Sequence, residues 1–140
     1  MRKLALAIPL LFLACGKLKE PTAPLLGGGD PIDPTATFTR VQSEIFTPTC
    51  AQLGCHDPLG RQESLILSPG RAYANTVGVA SLETPGLVRV SPSDPANSYL
   101  YRKIAGAGIT GDRMPQGGPF LNDAQTKLVR DWIRRGAPND

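Results

Sequence analysis

The first apolar stretch of the chain lies at its N-terminus. Arg2 and Lys3 precede an uninterrupted apolar run over residues 4–14, which ends in the small residue Ala14. Positive charge followed by a short apolar run is typical of a secretory signal, and this run is too short for a permanent membrane-spanning helix. We therefore predict that residues 1–14 are a signal peptide and that the protein is exported.

Apolar positions recur at helical spacing near residue 40. Phe38, Val41 and Ile45 follow one another at intervals of three and four residues, which places them on one face of a helix. The pattern predicts a short helix over residues 37–46, capped by its first residue. Pro48 is expected to end it, because proline lacks the backbone N–H that a helix needs.

A second helix is predicted over residues 95–104. Leu100 and Ile104 share its apolar face, and Ser93 or Asp94 is expected to cap its first turn. Between the predicted helices, proline and glycine interrupt the apolar residues before any strand-like alternation develops. The pattern therefore predicts a mainly α fold of few short helices joined by long loops.

The C-terminal segment carries the clearest helix pattern. Asn122 is a good N-cap, and Gln125 stands three residues later, as in a capping box. Gly136 is expected to stop the helix. One apolar stripe runs along it, formed by Leu128, Val129, Trp132 and Ile133.

Composition divides the exported part of the chain in two. The chain has 15 glycines and 14 prolines, and residues 15–36 hold many of them without any helical or strand periodicity. We predict a flexible tether over residues 15–36 and one folded domain over residues 37–140. A chain of this length is enough for a single domain of ordinary size.

The cysteine directly after the apolar run changes the expected location of the protein. The segment that ends in Ala14-Cys15 resembles a bacterial lipoprotein processing site, where the cysteine is lipidated and becomes the new N-terminus. The resemblance implies a protein anchored to a membrane of the cell envelope through Cys15, on the periplasmic face or at the cell surface. The alternative is an ordinary signal peptide with an incidental cysteine.

The charge of the chain argues against one class of partner. The formal net charge is +3, and loss of Arg2 and Lys3 with the signal would leave 13 basic against 12 acidic residues, or about +1. A nucleic-acid-binding domain is usually far more basic than this. We therefore expect no nucleic-acid partner.

The chemistry of the domain is concentrated in one short segment. Cys50 and Cys55 are separated by four residues, and His56, the single histidine of the chain, follows directly. A cysteine before a histidine, with another cysteine upstream, is the haem c attachment pattern. Two thioethers would fix the porphyrin, and His56 would supply an axial nitrogen. The usual spacing is two residues, so the two extra residues must bulge outward, and Gly54 gives the backbone that freedom.

A second axial ligand is available farther along the chain. Met114 is the single methionine apart from the initiator, and it lies in a loop between the second and last predicted helices, directly before Pro115. A methionine and histidine pair of axial ligands raises the reduction potential of haem iron, which suits electron transfer.

The ordered set of these elements resembles the small single-haem cytochromes c, over residues 38–138. The resemblance rests on Ile45-Phe46 before the Cys-His segment, on Arg113-Met114-Pro115, and on Trp132-Ile133 near the end. It implies a cytochrome c-like fold around one covalent haem c, held by Cys50, Cys55, His56 and Met114. It further implies electron exchange with exported redox proteins and no catalytic site. By the same resemblance, the Pro58 carbonyl would accept a hydrogen bond from the free nitrogen of His56.

Three further polar residues are candidates for holding the haem propionates. Their side-chain types suit a propionate, and the alternative is that each is a solvated surface residue. These candidates are Arg71, Tyr73 and Arg113.

Other interpretations of the Cys-His segment remain open. Cys50 and Cys55 would form a disulfide in a cofactor-free, exported interaction or structural module, because an oxidising compartment permits it. A zinc site is a weaker alternative, since structural zinc takes four cysteine or histidine ligands and only three are left after lipidation. A haem enzyme or sensor in which Met114 does not bind the iron is a further alternative.

Overall fold

The computed structural model describes residues 30–140, and the compact unit within this range covers Pro31–Asp140. Ala36 is fully buried, so the last residues of the predicted tether pack with the folded unit. The predicted signal peptide, Cys15 and the tether up to residue 29 lie outside the described residues. None of the helices in the described part is both long and apolar enough to cross a membrane.

The described residues form short helices joined by long loops, as the sequence pattern predicts. β-pairing within residues 30–140 is limited to isolated bridges, such as those of Val88 with Ala80 and Ser98. Two single 3₁₀ turns cover Gln62–Ser64 and Pro95–Asn97. The helices are α1 (Phe38–Val41), which continues as a π-helix (Gln42–Cys50), α2 (Ala72–Thr76), α3 (Tyr99–Ala105) and α4 (Asp123–Arg134).

The first helix begins where predicted but ends later. The Thr37 hydroxyl accepts a hydrogen bond from the Arg40 amide, which confirms the predicted cap. The prediction that Pro48 ends the helix is wrong, because the chain continues through it as a π-helix up to Cys50. Proline gives up only its own N–H, and the Ala51 N–H reaches back five residues to the Phe46 carbonyl at 2.8 Å.

The predicted second helix is divided in two. Asp94 caps the 3₁₀ turn by accepting from the Asn97 amide at 3.1 Å, as predicted, but Ser98 then takes an extended backbone conformation. The Ser98 hydroxyl is held on both sides, since it accepts from the Ser91 amide at 2.9 Å and donates to the Asp94 carbonyl at 2.8 Å. α3 therefore starts only at Tyr99.

The last helix agrees with its prediction at both ends. Asn122 and Gln125 form the capping box reciprocally, each side chain accepting from the other residue's amide. At the C-terminal end, the amides of Gly136 and Ala137 donate to the carbonyls of Ile133 and Trp132. These two bonds satisfy carbonyls that would otherwise be left unpaired where the helix stops.

α1 and α4 pack against each other and form the core. Trp132 is fully buried, and its indole N–H donates to the Pro138 carbonyl at 2.9 Å. The Phe38 ring lies 5.4 Å from the Trp132 ring and 5.2 Å from the Tyr73 ring, measured between centroids. The buried apolar residues of α1, of the π-helix that continues it and of α4 are Val41, Ile45, Phe46, Leu128, Val129, Trp132 and Ile133. This packing fixes the π-helix, and with it Cys50, against the rest of the domain.

Candidate functional site

The four residues predicted to hold a haem line one cavity. This cavity has a volume of about 500 Å³, and Cys50, Cys55, His56 and Met114 all belong to its wall. Cavities that hold cofactors and other small molecules typically measure from about 300 to about 1,000 Å³. The fold thus brings Met114 to the same space as the Cys-His segment.

Much of the cavity wall is apolar. Side chains from the first helix, from the loop after His56 and from α3 face the same space. These apolar residues are Ile45, Phe46, Leu65, Leu67, Leu100 and Ile104. Transfer of an apolar ligand from water into such a wall is favourable by roughly 25 cal/mol for each Å² buried.

The two cysteines differ in their surroundings. Cys50 lies at the end of the π-helix, is half-buried and packs against the core, whereas Cys55 is exposed. Both thiols are free in the structure. Burial raises the pKa of the Cys50 thiol to about 12, and the nearby Cys55 acts in the same direction.

Asp57 folds the loop that joins the cysteines to the rest of the site. Its carboxylate accepts from the Gly60 amide at 2.8 Å, the Gly54 amide at 3.0 Å and the Leu59 amide at 3.2 Å. These bonds, with that from Gly60 the strongest, lower the pKa of Asp57 below its ordinary value. Cys55 and His56 lie within the segment that these bonds close.

Gly60 packs closely against the backbone of Gly54 and Cys55 in this loop. A Cβ atom at Gly60 would lie 2.5 Å from the carbonyl carbon of Gly54 and 2.7 Å from the Cys55 carbonyl oxygen. Any side chain there would therefore push the Cys55 backbone away. Sequence reasoning missed both Asp57 and Gly60, although aspartate, proline and glycine in close succession indicate a tight turn.

His56 brings a buried, unpaired nitrogen to the site. Its Nδ1 is buried and has no hydrogen-bond partner. Burial lowers the pKa of His56, and backbone groups of Leu65 and Gln62 act in the opposite direction. A buried polar atom without a partner is uncommon in native proteins and indicates a ligand, an ion or a water.

The predicted hydrogen bond from the His56 ring to the Pro58 carbonyl is not formed, since Nδ1 has no partner. Pro58 lies in the exposed turn that Asp57 holds, whereas Nδ1 is buried. Backbone bonds position His56 instead. Its amide donates to the Cys50 carbonyl at 3.2 Å, and its carbonyl accepts from the Leu67 amide at 2.8 Å.

Met114 is held beside the core. It is partly buried against the core residues, and its amide donates to the Lys103 carbonyl at 3.0 Å. This bond ties the Met114 loop to α3, whose residues Leu100 and Ile104 also line the cavity.

The three residues predicted to hold the propionates lie elsewhere, so that prediction is wrong. Arg71 is exposed and does not line the cavity. The Tyr73 hydroxyl donates to the Ala137 carbonyl at 3.0 Å, on the side of the core. Arg113 donates to the Ile104 carbonyl at 2.9 Å and stacks on the Phe120 ring at 4.4 Å. Tyr73 and Arg113 are thus engaged away from the cavity and Arg71 lies at the surface, which their side-chain types could not reveal.

Two other cationic residues line the cavity instead, and both are buried. Arg89 is 8% exposed and Lys103 is 7% exposed. The Lys103 ammonium group donates to the Glu83 carboxylate at 3.1 Å and to the Thr110 carbonyl at 2.9 Å. Sequence reasoning missed both, because a single cation among apolar residues usually lies at the surface.

The donor set suits a haem better than a zinc ion. Within residues 30–140, no group of three or more His, Cys, Asp or Glu side chains is placed to hold a metal ion. Structural zinc needs four such ligands. A haem iron takes only its axial ligands from the protein, and here a histidine with an unpaired buried nitrogen and a thioether share one apolar cavity.

Comparison of the chain with protein-family models, with curated proteins and with solved structures returned no match.

Proposed function

We propose that this protein is a monohaem c-type cytochrome that transfers electrons at the cell envelope. The observation that carries the proposal is that Cys50, Cys55, His56 and Met114 line one apolar cavity. Met114 lies far along the chain from the other three residues. Haem ligation requires that these four residues lie around one cavity.

Different residues of the cavity would attach the haem covalently and bind its iron. Cys50 and Cys55 would each form a thioether, while His56 and Met114 would supply a nitrogen and a sulfur ligand to the haem iron. The Asp57 loop would hold His56 in place through the backbone, because its bonds close on either side of that residue. A bound haem would supply a one-electron redox centre in a largely apolar surrounding.

The proposed ligation implies a carrier and no enzyme. With His56 and Met114 both bound to the iron, no coordination position would remain for a substrate. The redox partners would be other exported proteins, and a lipid on Cys15 would keep the domain near a membrane.

The test is a redox spectrum of the full chain matured in a bacterial host with cytochrome c assembly machinery. The proposal predicts c-type haem bands that change reversibly when one electron per protein is added or removed. His56→Ala should abolish the six-coordinate spectrum, whereas Arg71→Gln, a change at an exposed residue outside the cavity wall, should leave it intact. A haem-free product whose mass is lower by two hydrogens would contradict the proposal and indicate the disulfide-stapled module.

A further inference from the structure

Arg89 is a buried cation that faces the cavity without an acidic partner. Its guanidinium donates to the Glu63 carbonyl at 2.8 Å and to the Asn75 carbonyl at 2.9 Å. No carboxylate among the described residues lies within ion-pair distance of it, whereas Lys103 is paired with Glu83. Arg89 therefore differs from the other buried cation of the cavity wall.

The two carbonyls satisfy hydrogen bonds of Arg89 but do not neutralise its charge. Burial lowers the pKa of the guanidinium, and the more distant Glu63 carboxylate offsets this only in part. A guanidinium has five N–H donors, so the two bonds to carbonyls leave three for a ligand. A buried charge without a counter-charge is costly, and an anion placed beside it would remove much of that cost.

The acidic residues on the same wall supply only a small part of that counter-charge. Glu63 and Asp112 both line the cavity, but both are exposed. Water weakens the interactions of exposed charges strongly because its dielectric constant is high. Glu83 is already bound to Lys103.

We propose that Arg89 is the anion-binding group of this cavity. Its ligand is an amphiphile whose carboxylate binds Arg89 and whose apolar body occupies the remainder of the cavity. Under the proposed function, on which this identification of the ligand rests, the carboxylate is a haem propionate. A fatty acid has the same two parts and is the other source of this chemistry. The free Cys50 and Cys55 thiols, with His56 and Met114 on the same wall, favour the haem.

The test compares ligands that differ only in charge. Full-length apoprotein is titrated with haem, with neutral haem dimethyl ester and with oleate, and binding is followed by absorbance or by displacement of a fluorescent fatty acid. Wild-type protein should bind haem about tenfold or more tightly than the ester, since a charge-assisted bidentate pair is among the strongest hydrogen-bonded contacts. Equal affinity for haem and its ester would overturn the proposal without any variant.

Variants then assign the effect to Arg89. Arg89→Gln should weaken haem binding about tenfold and leave ester binding unchanged, and Arg89→Lys should restore part of the loss. Arg71→Gln is the matched control, because Arg71 is exposed and lies outside the cavity wall. Equal weakening of haem and ester by Arg89→Gln would overturn the proposal, as it would show a purely structural role.

The outcomes separate this inference from the proposed function. Binding of oleate but not haem, with loss in Arg89→Gln, would support the anion site and contradict the cytochrome. Binding of haem that is indifferent to Arg89 would support the cytochrome and overturn the anion site. Failure of wild-type protein to bind either carboxylate ligand would overturn the inference.

Discussion

Met114 and His56 lie far apart in the sequence, yet both residues line the same cavity. If Met114 is the second axial ligand, its replacement by leucine keeps the volume and removes the sulfur. We predict that Met114→Leu still carries covalent haem, loses the weak absorption of a methionine–iron bond at the red edge of the visible spectrum, and has a lower reduction potential. Visible spectra and a redox titration measure both effects.

Retention of the haem by the Met114→Leu variant serves as a control for folding. Leucine is a volume-conserving replacement for methionine and usually costs less than about 1.5 kcal/mol, so the haem should stay attached and the protein folded. An unchanged spectrum and potential would show that Met114 does not bind the iron. The site would then be that of a haem enzyme or sensor with an open axial position.

Membership of the cavity wall could be predicted for single residues only where the residue type is rare. Cys50, Cys55, His56 and Met114 could be chosen from the sequence because the chain offers almost no other thiol, imidazole or thioether. Arg89 could not, since it is one of many cations in the sequence and only the fold buries it.

Arg71 and Arg113 show the converse. Their side-chain type suits a propionate, but the fold leaves Arg71 exposed and engages Arg113 with the Ile104 carbonyl. Residue type alone does not determine burial.

At the scale of elements, α4 depends on its N-cap. The Asn122 side chain accepts from the Gln125 amide at 2.9 Å, and Gln125 returns a bond of 3.1 Å to the Asn122 amide. We predict that Asn122→Ala lowers the free energy of unfolding by about 1 kcal/mol, while Asn122→Asp, which keeps the acceptor, changes it by only a few tenths. Chemical denaturation measures both, and an alanine variant as stable as wild type would contradict the role of the cap.

α4 was predictable from the sequence because its signals are local. Its cap, its apolar stripe and its stop lie within fifteen residues, from Asn122 to Gly136. The π-helix was not predictable, because Pro48 normally ends a helix, whereas here Ile45 and Phe46 are buried in the core and the Ala51 amide still donates to the Phe46 carbonyl. This error concerns the site directly, since the extra turn is what carries Cys50.

The division of the second helix has the same kind of cause. Ser98 departs from helical backbone because its hydroxyl is held by Ser91 and Asp94. A serine within a helical pattern does not reveal such contacts from the sequence.

At the scale of the molecule, Asp131 joins the start of the folded unit to α4. This carboxylate is fully buried, accepts from the Asp33 amide at 3.0 Å and binds the Lys127 ammonium group. Burial alone would raise the pKa of Asp131, but Lys127, the Asp33 amide and Arg130 together lower it below its ordinary value of 3.8. The pKa values of Asp33, Asp94 and Asp140 are lowered as well.

These shifts predict the acid sensitivity of the fold. Because the folded pKa values lie below the unfolded ones, the stabilisation is fully present above the unfolded pKa and is lost as the pH falls through the folded pKa. We predict that the free energy of unfolding decreases steadily from about pH 5 to about pH 2. Urea titrations at a series of pH values measure this decrease.

The Asp131→Asn variant tests whether the Asp131 carboxylate causes the decrease in the free energy of unfolding at low pH. It should lower stability at neutral pH and flatten the dependence of stability on pH below about 5, because its contribution no longer titrates. Asp112→Asn is the control, since Asp112 is exposed and bonds to Gln116. An Asp131→Asn variant with the wild-type acid slope would show that other groups carry the effect.

Under the proposed function, Cys50 and Cys55 hold one haem covalently. The most direct test is the intact mass of the denatured full chain, matured with cytochrome c assembly machinery. Each thiol would add across a vinyl double bond without loss of any atom, so we expect an increase of one whole haem that survives denaturation and is absent from the Cys50→Ser, Cys55→Ser double variant. A wild-type protein that carries no haem mass after denaturation would contradict it.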